Sequence, residues 1–192
     1  GRRIVAAQLP TVFGTSLRRL DTLLDQLRPE LVICVGQAGG RSAISLERVA
    51  INVDDAPIPD NAGDQPVDTP VAAGAPAAYF SSLPIKAALA ALQREGLPAE
   101  VSQTAGTFVC NHVFYGLMHR LASHPGLSHT RGGFVHVPWL PEQGAPAMAL
   151  DDVVRGLRTV VRAALSEPAV SARPAADRAP RAGTDAPARG GS

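Results

Sequence analysis

Three side chains, far apart in the chain, carry groups that could divide a nucleophilic substitution among them. Cys110 lies in the run TAGTFVCNHVFYGLMH, residues 104–119. A glycine, a short apolar turn and a thiol at the opening of a helical pattern make a plausible setting for a nucleophile. The unpaired N–H groups and dipole of a helix N-terminus favour a thiolate and can hold an oxyanion. His136 follows in RGGFVHVP, on a strand-like run, and Glu47 precedes both in QAGGRSAISLERVAINV. A thiol to attack, an imidazole to move its proton and a carboxylate to fix the imidazole are the parts of a cysteine hydrolase. Only folding can bring them together.

Each residue also has a plainer reading. A lone cysteine beside Phe108, Val109 and Val113 is most often a buried structural thiol. His136 reads equally well as a hydrogen-bonded histidine on a half-buried strand. Glu47, in a loop before a strand, reads as an ion-pair partner of Arg41 or Arg48. His112 is a poor base for Cys110, because two residues along a helix turn the side chain by about 200°. His119, His124 and His129 fall where a helix gives way to a loop, and are expected to be solvated. No two histidines sit at ligand spacing near paired cysteines, so no metal is expected. The GQAGG run lacks the Lys-Ser/Thr pair of a phosphate loop, so no nucleotide is expected either.

The elements that must position these groups follow from the pattern. Ile4–Gln8 is a short strand candidate. Residues 16–28 carry Leu17, Leu20, Leu24 and Leu27 near helical period, stopped by Pro29. Leu31–Val35 is a continuous apolar run, as in a strand buried on both faces. Residues 48–53 alternate Val49, Ile51 and Val53 as a further strand. Residues 54–76, rich in Asp, Pro, Gly and Ala, form a long connection of a kind that is often functional. A helix is expected from Pro84 to Glu95, a strand over residues 99–103, the Cys110 helix, and a strand over residues 134–137. Residues 151–165 form an amphipathic helix with Val153, Val154, Leu157, Val160, Val161 and Leu165 on one face, and two acids at its start.

The 192 residues are 45% hydrophobic with a net charge of +1, which suits one α/β domain over residues 1–166. The final 26 residues hold eight Ala, four Pro, four Arg and no Leu, Ile or Phe, and are expected to be a disordered tail. No charge excess points to nucleic acid or a membrane surface, aromatics are only 4%, and no apolar run would span a bilayer. Cys34 and Cys110 read as free thiols of a reducing, cytoplasmic protein. Gly1 stands where a start methionine would, so the chain reads as a fragment or a processed product.

The segments together closely resemble the pyroglutamyl-peptidase I family. The matching runs are PTVF (residues 10–13), VICVGQAGGR (32–41), ERVAINVDDA (47–56), IPDNAGDQPVD (58–68), AGTFVCNHVFYGLMH (105–119) and GGFVHVPWLPEQ (132–143). The resemblance spans about residues 3–166. It implies a three-layer α/β/α sandwich around a mostly parallel, mixed, twisted sheet. It implies Cys110 as nucleophile, His136 as base and then acid, and Glu47 as orienter, removing an N-terminal pyroglutamyl residue from peptides without a cofactor. Phe108, Gln37, Ile58 and Thr11 are the implied substrate contacts, and a homo-oligomer, such as a tetramer, is the implied assembly. Family members begin with a further strand and a Gly-Phe-Asp-Pro-Phe-Gly-Gly loop that this chain does not match, and carry an arginine where Pro57 stands. The competing expectation is therefore an inactive, truncated homologue that serves only as an oligomer subunit.

Overall fold

A computed structural model describes residues 2–166. The apolar run after Pro29 becomes β1 (Leu31–Gln37), and the run holding His136 becomes β6 (Arg131–Val137). These two pair in parallel, with Gly36 opposite His136. On the other side of β6 lies β2 (Ile44–Glu47), antiparallel, with Ser45 opposite His136, and β5 (Ala99–Ser102) runs parallel to β2. The order β1-β6-β2-β5 is a mixed sheet, and the α/β expectation holds. A separate ribbon joins β3 (Val49–Ile51) to β4 (Ala78–Phe80) in antiparallel register.

Alternation along the strands sorts the side chains into two layers. Cys34 and Phe134 face the core built with α1 (Thr15–Leu27) and α3 (Val109–Ser123). Ile44, Leu46, Val135 and Val137 face the core built with α2 (Ile85–Arg94) and α4 (Leu150–Ser166). By the same parity Glu47 and His136 fall on the α3 side. Phe114, Leu117 and Met118 of α3 are wholly buried, and each such side chain contributes about 1.5–3 kcal/mol by leaving water. Helix α1 buries Leu20 and Leu24 and closes at Arg28, a left-handed cap that returns its N–H to the Leu24 carbonyl just before Pro29.

Several expectations are corrected. Ile4–Gln8 joins no ladder among the described residues: Ile4 is 80% exposed, and the sheet ends at β1. Glu47 is not in a loop but is the last residue of a strand too short and mixed to show a period. The expected strand over residues 48–53 shortens to β3 and reverses its parity, because Ala50, not Val49 or Ile51, is the buried residue. The small side chain lets the strand lie against α3. There Asn111 takes the Ile51 N–H at 3.0 Å and gives its own amide to the Ile51 and Val53 carbonyls. In α4 the buried stripe runs through Val153, Gly156, Val160 and Ala164, while Val154 faces outward. A Cβ on Gly156 would lie 2.2 Å from Ile44 Cδ1, so the helix approaches the sheet through glycine. The expected tail, residues 167–192, lies outside the described residues.

The long connection over residues 54–76 is tied down along its length. Asp54 and Thr69 exchange backbone bonds of 2.7 and 3.0 Å, the Ala56 N–H reaches the Pro66 carbonyl at 2.8 Å, and Asn52 clamps Ala72 through both ends of its amide. It is an ordered excursion whose start and middle border the candidate site.

Candidate active site

The approach to Cys110 is shaped by its loop. After β5, Thr104 accepts the Gly106 N–H on its hydroxyl at 3.0 Å, and Gly106 turns the chain at φ 78°, a conformation glycine adopts without strain. Thr107 fastens the loop to Asp55, its hydroxyl donating to the Asp55 carbonyl at 2.7 Å and its carbonyl accepting the Asp55 N–H at 3.0 Å. Helix α3 then begins at Val109, and no side chain caps it. The first intrahelical donor is His112 N–H, so the Cys110 N–H has no carbonyl of a preceding turn to bond to.

Cys110 meets β1 at Gly36. A Cβ there would stand 2.9 Å from Cys110 Sγ and 2.9 Å from Phe134 Cζ, so the absent side chain is the thiol's berth. Gly36 pairs with His136 across the sheet, which places the thiol over the strand that carries the imidazole. His136 is buried, its ring centroid 4.8 Å from that of Phe134. Its Nδ1 lies 2.7 Å from Glu47 Oε1. A carboxylate only accepts, so the proton sits on Nδ1 and Nε2 is left as the acceptor. Glu47 itself is wholly buried, and Arg41 Nη1 reaches the same Oε1 at 2.8 Å. Glu47 thus contacts both His136 and Arg41 through one oxygen.

Burial pushes the Cys110 thiol up to about 11, with the Glu47 charge adding to the rise and the Arg41 charge opposing it. Burial is the largest of these influences and opposes the thiolate that a helix terminus would favour. At neutral pH the Cys110 side chain therefore rests as a thiol. Cys34, also a free thiol, is buried on the same face and pushed up to about 12 by burial and by Cys110.

The implied substrate contacts do not all converge. Phe108 is half-buried at the N-cap of α3, its ring centroid 5.5 Å edge-on from Phe13. The Thr11 carbonyl takes the Asn61 N–H at 3.1 Å, and Asp60 takes the Phe13 N–H at 2.8 Å, so residues 11–13 and 58–64 form one linked wall. Ile58 stands on that wall, 60% exposed. Gln37, at the end of β1, turns its amide to Gln143 instead: the two exchange bonds of 2.5 and 3.1 Å, and Gln143 also takes the Leu140 N–H.

Residues that sequence reasoning set aside complete the wall. His112 does point away from the thiol, but not into solvent. Its Nδ1 lies 2.7 Å from Asp54 Oδ2, its Nε2 accepts the Gly14 N–H at 3.0 Å, and its ring sits 5.2 Å from Phe13. Asp60 is pulled two ways: burial raises its pKa, but N–H donors from Phe13, Ala62, Asp64 and Gly63 outweigh it and hold the carboxyl below its usual range. His119 is packed, not solvated, bonded to the Tyr79 hydroxyl at 3.0 Å and stacked on Tyr115. His124 accepts the Gly126 N–H, and His129 is exposed as expected.

With this geometry in place, comparison with known proteins is specific. The sequence matches the model of the pyroglutamyl peptidase family over residues 1–167. It is 63% identical over 168 residues to the pyrrolidone-carboxylate peptidase of Cupriavidus taiwanensis, covering 85% of this chain and 77% of that protein. It is 64% identical over 170 residues to pyrrolidone-carboxylate peptidase 1 of Ralstonia nicotianae, covering 86% and 78%. Among solved structures, pyroglutamyl peptidase I of Bacillus amyloliquefaciens superposes with a TM-score of 0.83 at 48% identity, over 85% of this chain and 80% of that one.

Proposed function

Because the chain belongs to the pyroglutamyl peptidase family, we infer that it removes N-terminal pyroglutamyl residues through Cys110, with His136 as base and acid and Glu47 as orienter. The observation that carries the residue assignment is the buried Glu47–His136 contact beside the thiol's berth at Gly36.

Attack begins with a neutral thiol. His136 Nε2 takes its proton as Sγ bonds to the pyroglutamyl carbonyl carbon, and Glu47 steadies the imidazolium through Nδ1. Backbone N–H groups at the uncapped start of α3 are placed to receive the oxyanion. The imidazolium then gives its proton to the leaving peptide amine. Water, deprotonated by His136, cleaves the thioester, releasing pyroglutamate and the free thiol. No step calls for a cofactor. The lactam ring carries no charged amine, so a slot walled by Phe108 and Phe13 suits it, with Thr11 and Ile58 on the linked loops and Gln37 at the end of β1. A site of that kind rejects an ordinary ammonium N-terminus, which would be buried unpaired.

The test is hydrolysis of a pyroglutamyl-aminocoumarin by the chain and by Cys110→Ser. Turnover lost in the variant supports the mechanism, and equal turnover removes it. Two free thiols and a helix set in which none of the described helices is long and apolar enough to cross a membrane are in keeping with a cytoplasmic enzyme. Self-association, as a tetramer, belongs to the same reading. Light scattering during gel filtration checks it, and a monomer mass would remove it.

A further inference from the structure

Glu47 is a buried carboxylate whose two supports meet on one atom. His136 Nδ1 at 2.7 Å and Arg41 Nη1 at 2.8 Å both address Oε1, while Oε2 is buried with no partner among the described residues. Arg41 reaches further. Its Nη2 donates to the Thr104 carbonyl at 3.3 Å, in the loop that turns at Gly106 and leads to Cys110. The segment that delivers Arg41 is itself braced: Trp139, three residues beyond His136, covers Gly39 so closely that a Cβ there would lie 2.4 Å from the indole. One guanidinium therefore spans the orienting carboxylate on β2 and the approach to the nucleophile helix.

Two physical consequences attach to that placement. The guanidinium, anchored by its second nitrogen on the Thr104 carbonyl, fixes the position of Oε1, which three side-chain torsions would otherwise leave free to turn from the imidazole. Its positive charge also offsets a buried negative one. A bare carboxylate in a dry site raises the proton affinity of every group around it, and the thiol feels Glu47 and Arg41 with opposite sign. The side chain of Arg41 is 25% exposed, so solvent screens part of its effect.

We infer that Arg41 is a positioning residue for the reaction: it holds Glu47 toward His136 and offsets its charge beside the thiol. This rests on the reading of Cys110, His136 and Glu47 given above.

The experiment uses the full chain as wild type, Arg41→Gln, Arg41→Lys and Cys110→Ser. It measures kcat and KM for a pyroglutamyl-aminocoumarin, and iodoacetamide alkylation of Cys110 by peptide mass, both across pH. In Arg41→Gln a positive charge is lost, so both limbs of the kcat/KM profile move to higher pH by about half to one pH unit. Near neutral pH kcat falls about tenfold with KM within about twofold. Arg41→Lys keeps the charge and loses the fork, so the profile stays in place while kcat falls several-fold. An Arg41→Gln profile superimposed on wild type overturns the inference, as does a rise in KM at unchanged kcat. Should Arg41→Gln fail to fold by circular dichroism, Arg41→Lys decides: lowered kcat on an unmoved profile supports the inference, and wild-type kcat overturns it. Undiminished turnover by Cys110→Ser would instead overturn the nucleophile itself, a separate failure.

Discussion

Gly36 sets where the Cys110 thiol can stand. Gly36→Ala puts a methyl group 2.9 Å from both Cys110 Sγ and Phe134 Cζ. The expected outcome is an activity loss of about 10²-fold with a stability loss of about 1–3 kcal/mol, read by kcat/KM and urea unfolding. Glu47→Gln keeps the shape but leaves the imidazole without a charged partner, so kcat falls about 10²- to 10⁴-fold with little change in KM. The thiols give a pH signature. Both bind their protons more tightly in the folded chain than the ordinary 9.0, Cys110 to about 11 and Cys34 to about 12, chiefly through burial. The stability they contribute is therefore complete below pH 9.0 and drains away as pH rises toward 12. Urea midpoints measured up that range fall for wild type and fall less for Cys34→Ala. Cys110, His136 and Glu47 were legible in the sequence as candidates, since thiol, imidazole and carboxylate are recognisable as types. The raised thiol was not, because desolvation depends on neighbours brought by other elements.

At the scale of elements, α3 both carries Cys110 and braces the wall formed by residues 11–13 and 58–64. Its first turns present Cys110 to β1, Asn111 to β3 and His112 to Asp54 and Gly14. Truncating His112 to Ala frees the Gly14 N–H and the Asp54 carboxylate and removes the ring beneath Phe13. The expectation is a several-fold rise in KM with kcat within about twofold, and a stability loss of about 1–3 kcal/mol. Asp60 does the same for the facing loop, and the sign of its titration is opposite to that of the thiols. Its folded pKa lies below the ordinary 3.8, so its contribution is present above that value and is lost as pH falls through the folded one. Asp60→Asn therefore shows a shallower acid limb of unfolding. Helices α1 and α2 and strands β1 and β5 follow from leucine spacing, proline stops and apolar runs. What escaped were elements whose burial reverses local pattern: Ala50 inward between outward valine and isoleucine, Gly156 inward in place of Val154, and Ile4–Gln8 with no strand to pair with.

At the scale of the whole molecule, the sheet separates two tasks. The α3 side holds Glu47, His136 and the thiol, and the α2–α4 side is packed around Ile44, Leu46 and Val135, with Arg131 bonded to the Ala164 carbonyl of α4. Gly156→Ala drives a methyl group to 2.2 Å from Ile44 Cδ1, so it costs about 1–3 kcal/mol of stability. Because that contact is on the far face, kcat per folded molecule stays at the wild-type value, which active-site titration against unfolding curves will show. The layered class was readable from alternating elements, whereas the strand order was not, since it is decided by pairings up to a hundred residues apart. That order has a consequence for timing. β6 is the keystone between β1 and β2, which never touch each other, and both precede it in the chain. A growing polypeptide that has not yet reached Val137 has neither β1 joined to β2 nor His136 beside Glu47. The Glu47–His136 contact therefore forms only after β6 has inserted between β1 and β2, a late and long-range step in folding.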